Sequence, residues 1–156
     1  MPDDPGVATI DVLQAGVTKP GPDRLANAAW LALVHDATRK LGGVVITSVE
    51  EPTVGRNYYR VGVRLRDGVS LSILFNAAAN LAAGARRHDP DRTDEVFVDV
   101  PAADVYRYAG LRVATGAELD QPLNDRRLFL LTDEERRDVA YHQPERLGDL
   151  LFNWLG

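Results

Sequence analysis

The sequence predicts an α+β fold: an antiparallel sheet of four or five strands, an N-terminal helix packed on one face, and a helical C-terminal third. Three observations carry this. Residues 23–41 repeat apolar side chains at helical spacing. Residues 58–65 and 69–75 alternate in the two-residue period of strands, and two capping-box signatures precede an apolar C-terminal segment.

Residues 1–22 hold Pro2, Pro5, Pro20 and Pro22 with Gly6, Gly16 and Gly21. A loosely ordered segment is expected there, with only Val7 to Leu13 suited to a strand. Asp23 is placed to cap a helix whose Ala26, Trp30, Leu33, Val34, Ala37 and Leu41 form one stripe, and Gly42-Gly43 ends it at about Leu41. Val44 to Val49 and Tyr58 to Leu65 read as strands. In the second, Tyr59, Val61, Val63 and Leu65 alternate with Arg60, Gly62, Arg64 and Arg66, so one face is expected to be apolar and the other wet.

Val69 to Phe75 follows as a third strand, and the hydrophobic pattern selects its register. A two-residue loop at Asp67-Gly68 would set arginines beside Leu71 and Ile73. A three-residue loop, with Gly68 left-handed, pairs Leu65 with Val69, Val63 with Leu71, Val61 with Ile73 and Tyr59 with Phe75. Asn76 to Ala85 stays open between helix, which its alanines favour, and irregular or extended chain, which Asn76, Asn80 and Gly84 favour.

Glu95 to Val100 is expected as a strand, and Pro101 opens a short helix to Ala109 that Gly110 closes. Thr115 with Glu118, and Thr132 with Glu135, have capping-box spacing, the second helix running to about Tyr141. Pro144 is expected to open the last helix, where Leu147, Leu150, Leu151, Trp154 and Leu155 share a face. A tail carrying Phe152 and Trp154 contributes most when docked against a core.

With 156 residues, 45% of them hydrophobic, the chain is long enough for one domain spanning 1–156 and short for two. Zero cysteines remove disulfides, thiolate metal sites and cysteine nucleophiles. The acidic start Met1-Pro2-Asp3-Asp4 is unlike a basic secretory signal, and no apolar run reaches the roughly 18 residues of a membrane span, so a cytoplasmic protein is expected. The net charge of -5 is concentrated. Residues 88–104 hold Asp89, Asp91, Asp94, Glu95, Asp99 and Asp104 against Arg92 alone. Such a field repels phosphate backbones and attracts a basic protein.

Several chemistries lack their residues. His35, His88 and His142 have no second His or Cys at ligand spacing, so no metal or other cofactor is expected. The segment Asp89-Pro90-Asp91-Arg92-Thr93-Asp94-Glu95 fails as an EF-hand loop, with Thr93 at the fifth position and Asp94 where glycine belongs. None of Ser48, Ser70 and Ser72 sits in a Gly-x-Ser-x-Gly elbow, and the last two are expected on the wet sheet face. Arg56, Tyr58, Arg60, Arg64 and Arg66 mark that face as an ordinary solvated surface or one paired to acids on a neighbouring strand, or else as an anion or partner surface.

The run Leu147-Gly148-Asp149-Leu150-Leu151-Phe152-Asn153-Trp154, preceded by Pro144, together with Leu74-Phe75-Asn76, resembles small bacterial proteins that carry a C-terminal Phe-Asn-Trp helix, some of them similar to immunity proteins. The resemblance implies a non-catalytic protein that neutralises a toxin by stoichiometric binding. It assigns no site residue. Charge points to Asp89, Asp91, Asp94 and Glu95 as the partner-binding residues, against a basic toxin. The alternative is a small-molecule-binding or enzymatic domain with a cystatin-like pocket between helix and sheet. A third reading is an assembly subunit that uses the Arg/Tyr face.

Overall fold

The computed structural model of the chain describes residues 13–19, 21–53, 56–87, 95–123 and 128–152. The strand expected at Val7 to Leu13 lies outside them except for its last residue, as do Asp89, Asp91, Asp94, Trp154 and Leu155. The architecture is α+β. A six-stranded sheet runs β1 (Val44–Val45), β2 (Tyr59–Arg64), β3 (Ser70–Asn76), β4 (Leu81–Arg86) and β5 (Phe97–Val98) in antiparallel order, and β6 (Arg112–Val113) lies parallel to β4. Both β5 and β6 pair with β4, β6 at Leu81 and Ala82 and β5 at Gly84 and Ala85.

Local chemistry sets the elements that the pattern predicts. Asp23 accepts the Ala26 N–H at 3.0 Å and opens α1 (Arg24–Lys40). The helix closes with Gly43 N–H on Thr38 O and Gly42 N–H on Arg39 O, both 2.9 Å, the two bonds of a Schellman ending. The β2–β3 register is Tyr59 with Phe75, Val61 with Ile73 and Val63 with Leu71, as the hydrophobic pattern requires. Gly68 has φ +88°, and the Leu65 N–H reaches Val69 O at 2.8 Å across the three-residue loop. Thr115 and Thr132 form full capping boxes with Glu118 and Glu135 at the starts of α3 (Gly116–Asp120) and α4 (Asp133–His142).

Elsewhere the chain departs from expectation. The open segment resolves into a turn with Asn80 at φ 51° followed by β4, because Leu81, Ala83 and Ala85 find apolar cover on one face. The strands expected at 44–49 and 95–100 shorten to two residues each. The helix after Pro101 is α2 (Ala103–Tyr108), starting two residues late because Ala102 is left-handed. The last helix, α5 (Leu147–Leu151), begins after Arg146, whose N–H bonds the Asp149 carboxylate at 3.2 Å, and not at Pro144.

The main correction concerns the second sheet face. Tyr59, Val61, Val63, Leu71, Ile73 and Phe75 pack against α1 through Trp30, Val34 and Ala37, and the Trp30 ring stacks on Phe75 at 5.5 Å. The opposite face is not wet. Tyr58, Leu74, Leu81, Ala83, Ala85 and Phe97 on it are buried under Leu119, Val139, Leu147, Leu150, Leu151 and Phe152 from the C-terminal third. The alanines of β4 leave room for this layer. Close approach also requires Gly148, where an added Cβ would stand 2.2 Å from the Phe97 ring. Period alone misses such a face, because small and polar residues on the strand read as solvated until the covering layer is known.

Buried polar groups fasten the layer. Asn76 Nδ2 donates to Val17 O at 2.9 Å and to Leu151 O at 2.8 Å, and Asn57 Nδ2 donates to Thr18 O at 2.9 Å and to Leu150 O at 3.3 Å. Each amide thus bonds a carbonyl of the 13–19 segment and a carbonyl in the last turn of α5. Glu135 completes the fastening by accepting Gly16 N–H at 2.8 Å, Thr18 N–H at 3.0 Å, the Thr18 hydroxyl at 2.6 Å and Thr132 N–H at 3.0 Å.

Burial alone would raise the Glu135 pKa, but the hydrogen bonds from the Thr18 hydroxyl and from the Gly16, Thr132 and Thr18 amides overcome it and hold the group down to about 2. A carboxyl lowered on folding stabilises above its unfolded pKa of about 4.3, and that contribution disappears as pH falls through about 2. It amounts to about 3 kcal/mol. Urea unfolding from pH 7 to pH 2 should show this loss, and Glu135→Gln should flatten that part of the profile. An unchanged slope in the variant would remove the assignment.

Candidate functional site

Polar side chains on the second face converge where the C-terminal layer stops short of the β1 edge. The chain makes the opening itself. Ile46 N–H bonds Gly62 O at 2.9 Å and Glu50 pairs with Arg60, so four steps of the β1 side face two steps of β2. The excess chain bulges, and Thr47 Oγ1 accepts the Gly62 N–H at 2.7 Å in place of a backbone carbonyl. Glu50 is brought back over the sheet by its paired N–H and C=O to Arg60, at 2.8 and 3.0 Å.

Arg60 lies at the centre. Its Nε is 2.9 Å from Glu50 Oε2, and its Nη1 donates to Glu95 Oε1 at 2.9 Å. Glu95 Oε1 also accepts the Tyr58 hydroxyl at 2.8 Å. Arg56 Nη1 stands 3.6 Å from Glu50 Oε2, and its guanidinium lies 5.9 Å from the Tyr58 ring centroid. Two arginines therefore balance two carboxylates, with Arg56, Arg60 and Glu95 largely buried and Glu50 46% exposed at the rim. Burial, and secondarily the Glu95 charge, push the Tyr58 hydroxyl well above its ordinary pKa, so it serves as a neutral donor.

Of the four acids predicted to face a partner, Asp89, Asp91 and Asp94 lie outside the described residues. Glu95 is described and is buried, its side chain 3% exposed, so this carboxylate belongs to the interior cluster and not to a surface patch. Its backbone is held too. Arg146 Nη2 donates to Glu95 O at 2.9 Å while the same guanidinium pairs with Asp120 and Asp149 and lies 4.8 Å from the Phe97 ring centroid. The arginine face divides likewise: Tyr58 and Arg60 are buried, whereas Arg64 and Arg66 remain exposed. Ser72, expected in solvent, is buried beside Gly62.

Sequence reasoning missed Glu50, Thr47 and Arg87 as members of this region. The alternation of Tyr58, Arg60 and Gly62 was visible, but the partners of Arg60 come from both sides of the chain, and no periodicity marks them. Next to the cluster is a recess of about 210 Å³ lined by Thr47, Glu50, Arg60, Val61, Gly62, Ser72 and Arg87. Among the described residues no group of three His, Asp or Glu is placed to hold a metal ion, and no helix is long and apolar enough to cross a membrane.

In comparison with known proteins, the chain matches no family model, no curated protein and no solved structure. Fold and site together define an α+β protein whose sheet is covered by helices on both faces and carries a buried ion cluster near one edge.

Proposed function

We propose that the protein acts by binding a protein partner stoichiometrically, as an immunity-type inhibitor of a basic toxin does, with Asp89, Asp91 and Asp94 as its contact charges. The observation that carries this reading is the anchoring of Glu95 by Tyr58, Arg60 and Arg146. The three acids join β4 to a residue locked by side chain and backbone, and fixed ends lower the ordering cost of a binding segment. Local charge supports the same reading, since residues 88–94 hold three acids and one arginine. The space between α1 and the sheet, where a cystatin-like pocket would lie, is filled by Trp30, Val34 and Ala37.

The test is capture of a partner by the tagged protein in its native host at low and high salt, followed by association kinetics with the purified pair. The triple change Asp89→Asn, Asp91→Asn and Asp94→Asn should slow association about tenfold or more at low salt, because steered encounter depends on these charges. Glu95 is left intact so that folding is not at stake. A partner that associates equally fast with the triple variant, or no partner at either salt, would end this reading.

A further inference from the structure

We infer that the recess beside the ion cluster is a binding site for a small oxyanion, a phosphate or a carboxylate group, with Arg87 as its principal ligand. This does not rest on the partner reading and uses none of its contact charges Asp89, Asp91 and Asp94.

The inference rests on charge, donors and space. Arg56 and Arg60 are balanced by Glu50 and Glu95, so among the described residues that border the recess Arg87 is the cation left over. Arg87 makes no hydrogen bond or ion pair with any described residue, although it lies at the mouth of a cluster holding two carboxylates. Its guanidinium instead lies against Gly62: an added Cβ there would be 2.1 Å from Nη1 and 2.8 Å from Thr47 Cγ2. Glycine is what lets a charged group fold over the strand. The Arg87 side chain is exposed and lines the recess, and the planar fork of a guanidinium matches the two oxygens of a carboxylate or phosphate.

The remaining donors are consistent. Thr47 Oγ1 already accepts from Gly62 N–H, which leaves its own proton to give, and Ser72 borders the same space with a hydroxyl. Arg60 spends Nε and Nη1 on Glu50 and Glu95, so its Nη2 adds a second cationic donor. A volume of about 210 Å³ takes an inorganic anion or a small acid but falls short of the roughly 300–1,000 Å³ of pockets for larger ligands. Glu50 on the rim disfavours highly charged ligands, which narrows the class to one phosphate or one carboxylate group.

The experiment is a titration of the full chain with inorganic phosphate, and separately with acetate, followed by backbone amide NMR shifts at constant ionic strength set with chloride. Wild-type protein should show saturable shifts at Gly62, Ser72 and Arg87 with at least one of the two anions. Arg87→Gln should weaken that binding about tenfold or more. Because Arg87 holds no described partner, this variant should keep the wild-type unfolding midpoint. Arg64→Gln, at an exposed arginine of β2 outside the recess, should bind as wild type does. Absence of saturable shifts with both anions, or equal affinities of wild type and Arg87→Gln, would overturn the site.

Discussion

Glu95→Ala should destabilise the protein by about 3–5 kcal/mol, the cost of breaking a buried ion pair from one side. The carboxylate accepts the Tyr58 hydroxyl and is one of two counter-charges of Arg60, whose side chain is 10% exposed. Its removal takes an acceptor from the phenol and a counter-charge from a largely buried guanidinium. Against a total of about 5–15 kcal/mol for an ordinary domain, this is a large fraction. Glu95→Gln keeps an amide oxygen where Oε1 accepts and should cost less. Pairing Glu95→Ala with Arg60→Met should restore part of the loss, since the stranded charge goes with it. Urea unfolding at pH 7 of the four proteins measures this directly. A loss under about 1 kcal/mol for Glu95→Ala would mean a solvated carboxylate and remove the anchor on which the partner reading depends.

Asn76→Ala should cost about as much, by a different mechanism. The amide is fully buried and makes three bonds, to Val17 O, to Leu151 O and from Ala79 N–H. Truncation leaves two carbonyls and one N–H without partners, each costing about 1–3 kcal/mol where water cannot replace the bond. Asn76→Asp is the sharper test because it preserves shape and the Ala79 bond while losing both donors. It should be at least as destabilising as alanine. Amide hydrogen exchange should show protection falling first in residues 13–19 and in α5, the elements this side chain joins to β3. Uniform loss of protection across the sheet, with those segments no worse, would show that the amide is not their fastener.

The legible parts of the fold are those written within a few residues. Asp23 and the two capping threonines each bond an amide three residues ahead, and the β2–β3 register follows from side chains on two adjacent strands and the loop between them. The candidate site was less legible. Arg60 was singled out on a face read as solvated or paired to acids, but without the identity of those acids, and Glu95 was assigned to the wrong environment because an acid in an acidic run reads as solvated. Arg60 and Glu95 are 35 residues apart, and Asn76 meets Leu151 across 75. The β6 strand of two residues was not foreseen, since a strand that short has no period to detect.

By itself the sequence determined the α+β class, the position and ends of the first helix, the hairpin register and the two capping boxes, all of them consequences of local sterics and short hydrogen bonds. Only the tertiary structure decided that the second sheet face is covered, that Tyr58, Arg60 and Glu95 form an interior cluster, and that Arg87 lies over Gly62. The reason is desolvation. Whether a polar side chain on a strand faces water or a partner depends on which distant layer packs above it, and neither composition nor period carries that information.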